Sequence, residues 1–410
     1  MDVKSDFGPA VRRPGKPGRF RRKAQFAAMD EVASDNLGFG EAAGLLPQQA
    51  IKLMVARGVI QATADIEDSQ FQPASLDLRL GSKAYRIRAS FLPGRERTVE
   101  KQLAEMHLDE LSLDGRGAVL ERGCVYVVPL IEFLELKPSI SATANPKSST
   151  GRLDIFTRLI VDGSEVFDQV PLGYAGRLYA EISPRSFSVR VSKGSRLNQI
   201  RFRRRHPKQF ALTGFALPDR ELRRRHTKAP LVDGELNVRA GLILRVALSR
   251  RLLGDVIGFR AQKHTDILDV DRIGAYEVGD FWDPLAARTD NRLILDPGEF
   301  YVLASHERIH IPPDLAAEMV PIDPAMGEFR VHYAGFFDPG FGYTASGQPG
   351  SRAVLEVRSH EVPFILEDGQ VIGRLAFEKM AEEPEVLYGQ TSLSNYQGQG
   401  LKLSKHFRMP

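Results

Sequence analysis

The chain has little cysteine and no long apolar run, and both absences exclude classes of protein. Cys124 is the one cysteine in 410 residues. It has no partner for an internal disulfide, and it rules out any metal site that needs several thiolates. A reducing, cytoplasmic setting is the simplest expectation. No stretch approaches ~18 consecutive apolar residues, so neither a membrane span nor a membrane partner is expected. The first residues are polar and lack the short apolar core of a secretory signal. Hydrophobic content of 42% and charged content of 26% are those of an ordinary globular chain with room for two or three domains.

Net charge is also small, at +4, but the basic residues cluster. Arg12, Arg13, Lys16, Arg19, Arg21, Arg22 and Lys23 crowd the N-terminus among Gly and Pro. Arg201, Arg203, Arg204, Arg205, His206 and Lys208 begin a second group, which continues through Arg220 and Arg223–Arg225. Phosphate or nucleic acid would be drawn to such charge. No aromatic residues interleave in a stacking pattern, so the preferred reading is a disordered tail plus a solvated insertion, with no nucleic-acid partner. A small polyphosphate could still use the positive potential.

What the chain does have is the same element twice. Tyr126 and Tyr301, Pro138 and Pro313, Pro146 and Pro321, Glu181 and Glu356, Gly194 and Gly369, and Phe202 and Phe377 all stand 175 residues apart. One shared offset across so many landmarks indicates two copies of one structural unit. Around them, residues 1–40 read as a disordered basic tail and residues 41–202 as the first repeat. Residues 203–235 read as a basic insertion or linker, 236–380 as the second repeat and 381–410 as a polar C-terminal tail.

Leu45–Ile60 has helical apolar spacing and Gly58 near its end. Gln72–Gly81 alternates apolar and polar residues and closes on glycine, as a strand and turn do. Val125–Leu136, Phe300–Ile311, Val354–Arg358 and Val371–Phe377 also read as strands. Short strands separated by Gly/Pro turns predict a mainly β fold, with two tandem barrel or jelly-roll units and a few short helices.

The copies diverge where chemistry is expected. The first holds Pro146-Lys147-Ser148-Ser149-Thr150-Gly151-Arg152; the second holds Asp323-Pro324-Ala325-Met326-Gly327 at the same place. Hydroxyls, a glycine that lets backbone approach closely, and a bidentate guanidinium suit a phosphate group. A polar turn with a surface arginine has the same composition. Glu181 and Glu356 are lone carboxylates inside apolar strands. Either faces water, as strand alternation allows, or serves as a general base whose pKa is raised by apolar surroundings.

These motifs together resemble the dCTP deaminase family. Gln72–Gly81 is similar to its Pro-Ala-Ser-x-Asp-Leu-Arg-Leu-Gly opening, preceded by a short helix. Ser148-Ser149-Thr150-Gly151-Arg152 resembles its Ser-Ser-x-x-Arg triphosphate motif. Phe337-Asp338-Pro339-Gly340, followed by Val354-Leu355-Glu356, resembles its Asp-Pro-Gly and Leu-Glu motifs, whose Glu is the catalytic acid/base. Tyr388 and Asn395-Tyr396-Gln397-Gly398-Gln399 resemble its nucleotide-covering tail, and Gly194–Ile200 resembles a strand of the related trimeric dUTPases. Two departures stand out. The family usually carries one copy of this unit, and its tail lysine falls at Asn395 here.

The resemblance implies a dUTPase-like fold and hydrolytic deamination of dCTP to dUTP and ammonia. It implies catalysis by Glu356 with Ser148 and Arg152, with Glu181 as the competing carboxylate. Lys147, Ser149, Asp338, Val354, Leu355, Tyr388, Asn395 and Gln399 would bind the nucleotide. Zinc deaminases use a His/Cys-x-x-Cys set, which one cysteine excludes, so metal-free water activation is expected and Mg²⁺ only accompanies the triphosphate. The unequal copies suggest a site shared between unlike repeats. Two repeats do not tile a ring of three, so a homo-oligomer, most simply a trimer, is expected. Alternatives are a dUTPase, a bifunctional deaminase and pyrophosphatase, or a non-catalytic nucleotide-binding regulator; dTTP is a candidate inhibitor.

Overall fold

The computed structural model describes residues 42–205, 216–321, 329–332, 335–343, 348–359, 361–390 and 394–408. The expected tail at 1–40, His206 and Lys208 of the second basic group, and the 323–327 turn lie outside the described residues.

The described chain is mainly β, as the alternating patterns predict. The helix expected over Leu45–Ile60 forms at Gln48–Ala56, and Gly58 follows it at φ 70°, where glycine has no Cβ penalty. The first unit closes on two six-stranded curled sheets, and the second carries a nine-stranded sheet.

The repeat is one of register and not only of composition. Strand Ile140–Pro146 returns as Leu315–Pro321, both bounds 175 residues on. Ala142 lies opposite Phe202, and Ala317 lies opposite Phe377. Val127 faces Glu181, and Val302 faces Glu356. A slip of one residue would reverse every side chain, so matched register preserves which face is buried. Polar anchors repeat too. Glu132 accepts from Arg79 N and Nε, and Glu307 accepts from Arg245 N and Nε in the same way.

The two units pack as one body. Val189–Val191 of the first pairs in parallel with Leu268–Asp269 of the second. Trp282, Phe300 and Phe407 join the first unit's apolar core. Arg203 and Glu378, 175 residues apart, form a bidentate pair at 2.6 Å. Equivalent positions therefore meet, and opposite charges at them make unlike repeats complementary.

The described parts of the basic segment expected at 203–235 pack into the two units. The strand Asn198–Arg204 runs into it, and Arg201, Arg203 and Arg204 are buried rather than solvated. Helix Asp219–Lys228 exposes most of its basic residues but inserts Leu222 into the second core, with Leu231 and Val232. Both faces of Asn198–Arg204 are covered, one by its own unit and one by the other, and alternation alone does not reveal that. Among the described residues, no helix is long and apolar enough to cross a membrane.

Candidate active site

A cavity opens where the two units and the tail meet. Its walls come from both copies. Pro146 ends a first-unit strand, and the chain turns into the short helix Ser148–Gly151. That turn presents Lys147, Ser148, Ser149 and Arg152 to the cavity. Opposite, the strand Ser351–Ser359 is paired on both sides, which fixes its side-chain directions. Val354 and Glu356 face the cavity, and Leu355 points the other way into the second core. The expectation that Leu355 contacts substrate is thus corrected by the period of the strand.

Glu356 is almost wholly enclosed, at 6% exposure. Burial pushes its carboxyl up to about 8; Arg152 opposes that shift, and Asp154 adds to it. Arg152 Nε stands 4.0 Å from Glu356 Oε1 and has no hydrogen-bond acceptor. The other guanidinium nitrogens are occupied. Nη1 donates to Lys402 O at 3.0 Å, Nη2 donates to Gln399 Oε1 at 3.0 Å, and the guanidinium lies 3.8 Å over the Tyr396 ring. Arg152 therefore ties the tail to the carboxylate, with one N–H left toward Glu356.

Asp338 sits in the loop after Phe336–Phe337 and accepts from Arg201 Nη2 at 2.7 Å. Arg201 comes from the first unit, is fully buried, also donates to Ala317 O, and stacks 4.0 Å from the Phe336 ring. Gly340 in this loop has φ 97°, and a Cβ there would come within 2.8 Å of Leu387 and Tyr388. Only glycine fits so closely beneath the tail. Phe337, Phe341 and Tyr388 continue as an aromatic row, with centroids 5.2 and 5.6 Å apart.

Tyr388, Asn395 and Gln399 all line the cavity. Tyr388 Oη accepts from Tyr396 N at 3.0 Å, and Gln399 Nε2 donates to Arg352 O at 3.0 Å. Ser404 Oγ donates to Ser149 O at 2.8 Å, so the tail reaches back to the first unit.

Glu181 is elsewhere. It is buried in the first unit, accepts from Arg158 Nη2 at 2.5 Å, and does not line the cavity. Arg158 also stacks on Phe167, at 3.5 Å from its centroid. An arginine stacked on an aromatic ring thus covers Glu181, which the structure does not bring together with Ser148 and Arg152. The site residues that sequence reasoning passed over are Asp77, Arg201, Tyr396 and Lys405. Asp77, between Leu76 and Leu78 in a strand buried on both faces, was the most legible of them.

Models of the two domains of 2'-deoxycytidine 5'-triphosphate deaminase match this chain, the N-terminal domain over residues 42–206 and the C-terminal domain over 218–407. The chain belongs to the dCTP deaminase family. A dCTP deaminase of Natronomonas pharaonis is 30% identical over 192 residues, covering 45% of this chain and 90% of that relative. A dUMP-forming dCTP deaminase of Pseudarthrobacter chlorophenolicus is 34% identical over 113 residues, covering 27% of this chain and 56% of the relative. A crystal structure of 2'-deoxycytidine 5'-triphosphate deaminase from Agrobacterium tumefaciens matches with TM-score 0.77 and 53% identity, over 83% of this chain and 99% of that one. The Natronomonas pharaonis relative is thus about one repeat long, whereas the solved dCTP deaminase spans both repeats. The two family domains part between residues 206 and 218, which places the basic helix in the second unit, as its packing does.

Proposed function

We propose that the chain deaminates dCTP to dUTP and ammonia, with Glu356 as the proton shuttle. The observation that carries this reading is a buried carboxylate with a pKa near the working pH, in a cavity whose other wall is the Ser148–Arg152 turn. Water adds at C4 of the cytosine, and ionised Glu356 takes its proton. The same carboxyl passes that proton to N3, then takes the second proton from the new C4 hydroxyl and delivers it to the amine, which leaves as ammonia as the C4 carbonyl forms. The free N–H of Arg152 steadies the ionised form, and Ser148 positions water or base. Asp338, held by Arg201, and the aromatic row receive the pyrimidine and sugar.

Mg²⁺ would arrive with the triphosphate and neutralise it. The chain's contribution toward it would be Asp77, whose buried Oδ1 has no donor and whose residue lines the cavity. Both halves of the site come from one chain, so catalysis does not depend on the homo-oligomer. The trimer and inhibition by dTTP stay part of the proposal, read by light scattering and by dTTP titration.

The test is incubation with dCTP and Mg²⁺, with products separated by chromatography. The reading expects dUTP and ammonia. Formation of dUMP and pyrophosphate would place the chain with its dUMP-forming relatives instead, and binding without turnover would make it a regulator.

A further inference from the structure

A second cavity adjoins the first. The two share Gln72, Asp77, Lys147, Ser149, Asn395 and Lys405, whereas Glu356 and Asp338 line the first alone. A nucleotide with its base at Glu356 and its phosphates along the shared wall would lie across both cavities. The cations there differ in what they are free to do. Lys147 is ion-paired with Asp77. Arg196, deeper in the second cavity, donates to Glu67 at 2.6 Å and Ser69 at 2.9 Å. Arg152 has both terminal nitrogens on the tail. Of the anions, Asp271 accepts from Ser195 at 2.6 Å. Among the described residues, no hydrogen bond or ion pair engages the Lys405 ammonium.

Lys405 is also built in place. Its backbone N donates to Tyr396 Oη at 3.2 Å, and its carbonyl accepts from Gly274 N at 3.1 Å. On one side Ser404 is bonded to Ser149 O, and on the other His406 Nε2 meets Val270 O at 2.8 Å. Burial and the facing Lys147 both hold its ammonium below the usual lysine range. An anion placed between the two lysines relieves both effects.

Resting on the dCTP reading above, we propose that Lys405 binds the terminal phosphate of the nucleotide and sets the preference for triphosphates over monophosphates. The tail is thereby a ligand-bearing strap, with its anchor residues holding one lysine at the junction of the two cavities.

The experiment titrates inorganic tripolyphosphate against the full chain and against Lys405→Met and Lys405→Arg, and measures kcat and KM for dCTP and dCMP. Loss of one charge-assisted contact should weaken tripolyphosphate binding on the order of tenfold in Lys405→Met. KM for dCTP should rise in parallel, with kcat and the dCMP constants little changed, and Lys405→Arg should recover most of the loss. Unchanged tripolyphosphate binding in Lys405→Met overturns the proposal, as does equal weakening for dCMP and dCTP. If Lys405→Met fails to fold, Lys405→Gln carries the same comparison. Lys405-dependent tripolyphosphate binding without turnover of any cytidine nucleotide would refute the deaminase reading and support this one.

Discussion

Replacing Glu356 by Gln removes a proton site whose affinity differs widely between folded and unfolded chain. In the folded site burial raises its pKa from 4.5 to about 8. The folded state therefore keeps the proton through a window in which the unfolded chain has released it. Stability from this group is fully present below pH 4.5 and is lost as pH rises through about 8. At about 1.4 kcal/mol per unit, the wild type should lose about 2 kcal/mol from this group between roughly pH 6 and pH 8. Gln has nearly the same shape and does not titrate, so the variant should not show that loss. Urea unfolding of both proteins at the two pH values isolates the effect, because the other titrating groups are common to both. Parallel pH profiles would show that Glu356 is not held neutral in the folded site. The same variant should lose on the order of a thousandfold in kcat, since an amide cannot take and return the proton. Wild-type kcat/KM should climb with pH and level off near pH 8, where the base form becomes dominant.

Other outcomes follow from particular contacts. Arg201→Met leaves Asp338 buried without its partner and should destabilise by about 3–5 kcal/mol, whereas Arg201→Met with Asp338→Asn should recover part of that in thermal melts. Glu181→Gln should leave dCTP turnover within about twofold, yet lower the unfolding midpoint, because it weakens a partly buried pair with Arg158. Burial holds His406 down at about 4, so its stabilising effect is present above pH 6.5 and is lost as pH falls toward 4. His406→Gln should flatten the acid limb of a thermal-shift profile. Leu355→Ala should cost about 2–5 kcal/mol as a core deletion, without a substrate-specific change in KM.

Much of the architecture is legible in the sequence because register and spacing travel together. Tyr126 and Tyr301 are spaced alike, and each hydroxyl accepts a backbone N–H five residues upstream, at 3.1 and 2.9 Å. The site is legible where a motif is local, as in Ser148–Arg152 and Phe337–Gly340. It fails where burial depends on the other repeat. Arg201 and Arg203 look like members of a solvated cluster, because nothing within seven residues shows that a second sheet covers them. Leu355 stands between Val354 and Glu356, and a two-residue period sends its side chain to the core. The spacing around Arg152 gives no sign that tail atoms 247 and 250 residues away accept from its terminal nitrogens. Lys405 lies past the last recognisable tail motif, and only the folded tail brings it to the cavity.

Each chain should hold one reactive site, assembled from unlike repeats. Co-expression of an Arg152→Ala chain with a Glu356→Gln chain tests it most directly. Each variant alone should be inactive toward dCTP. If the site forms within a chain, every site in the mixture lacks one of the two groups, and activity should stay absent. Recovery of dUTP and ammonia production in the mixed sample would mean that Arg152 and Glu356 meet across chains, and would contradict the account.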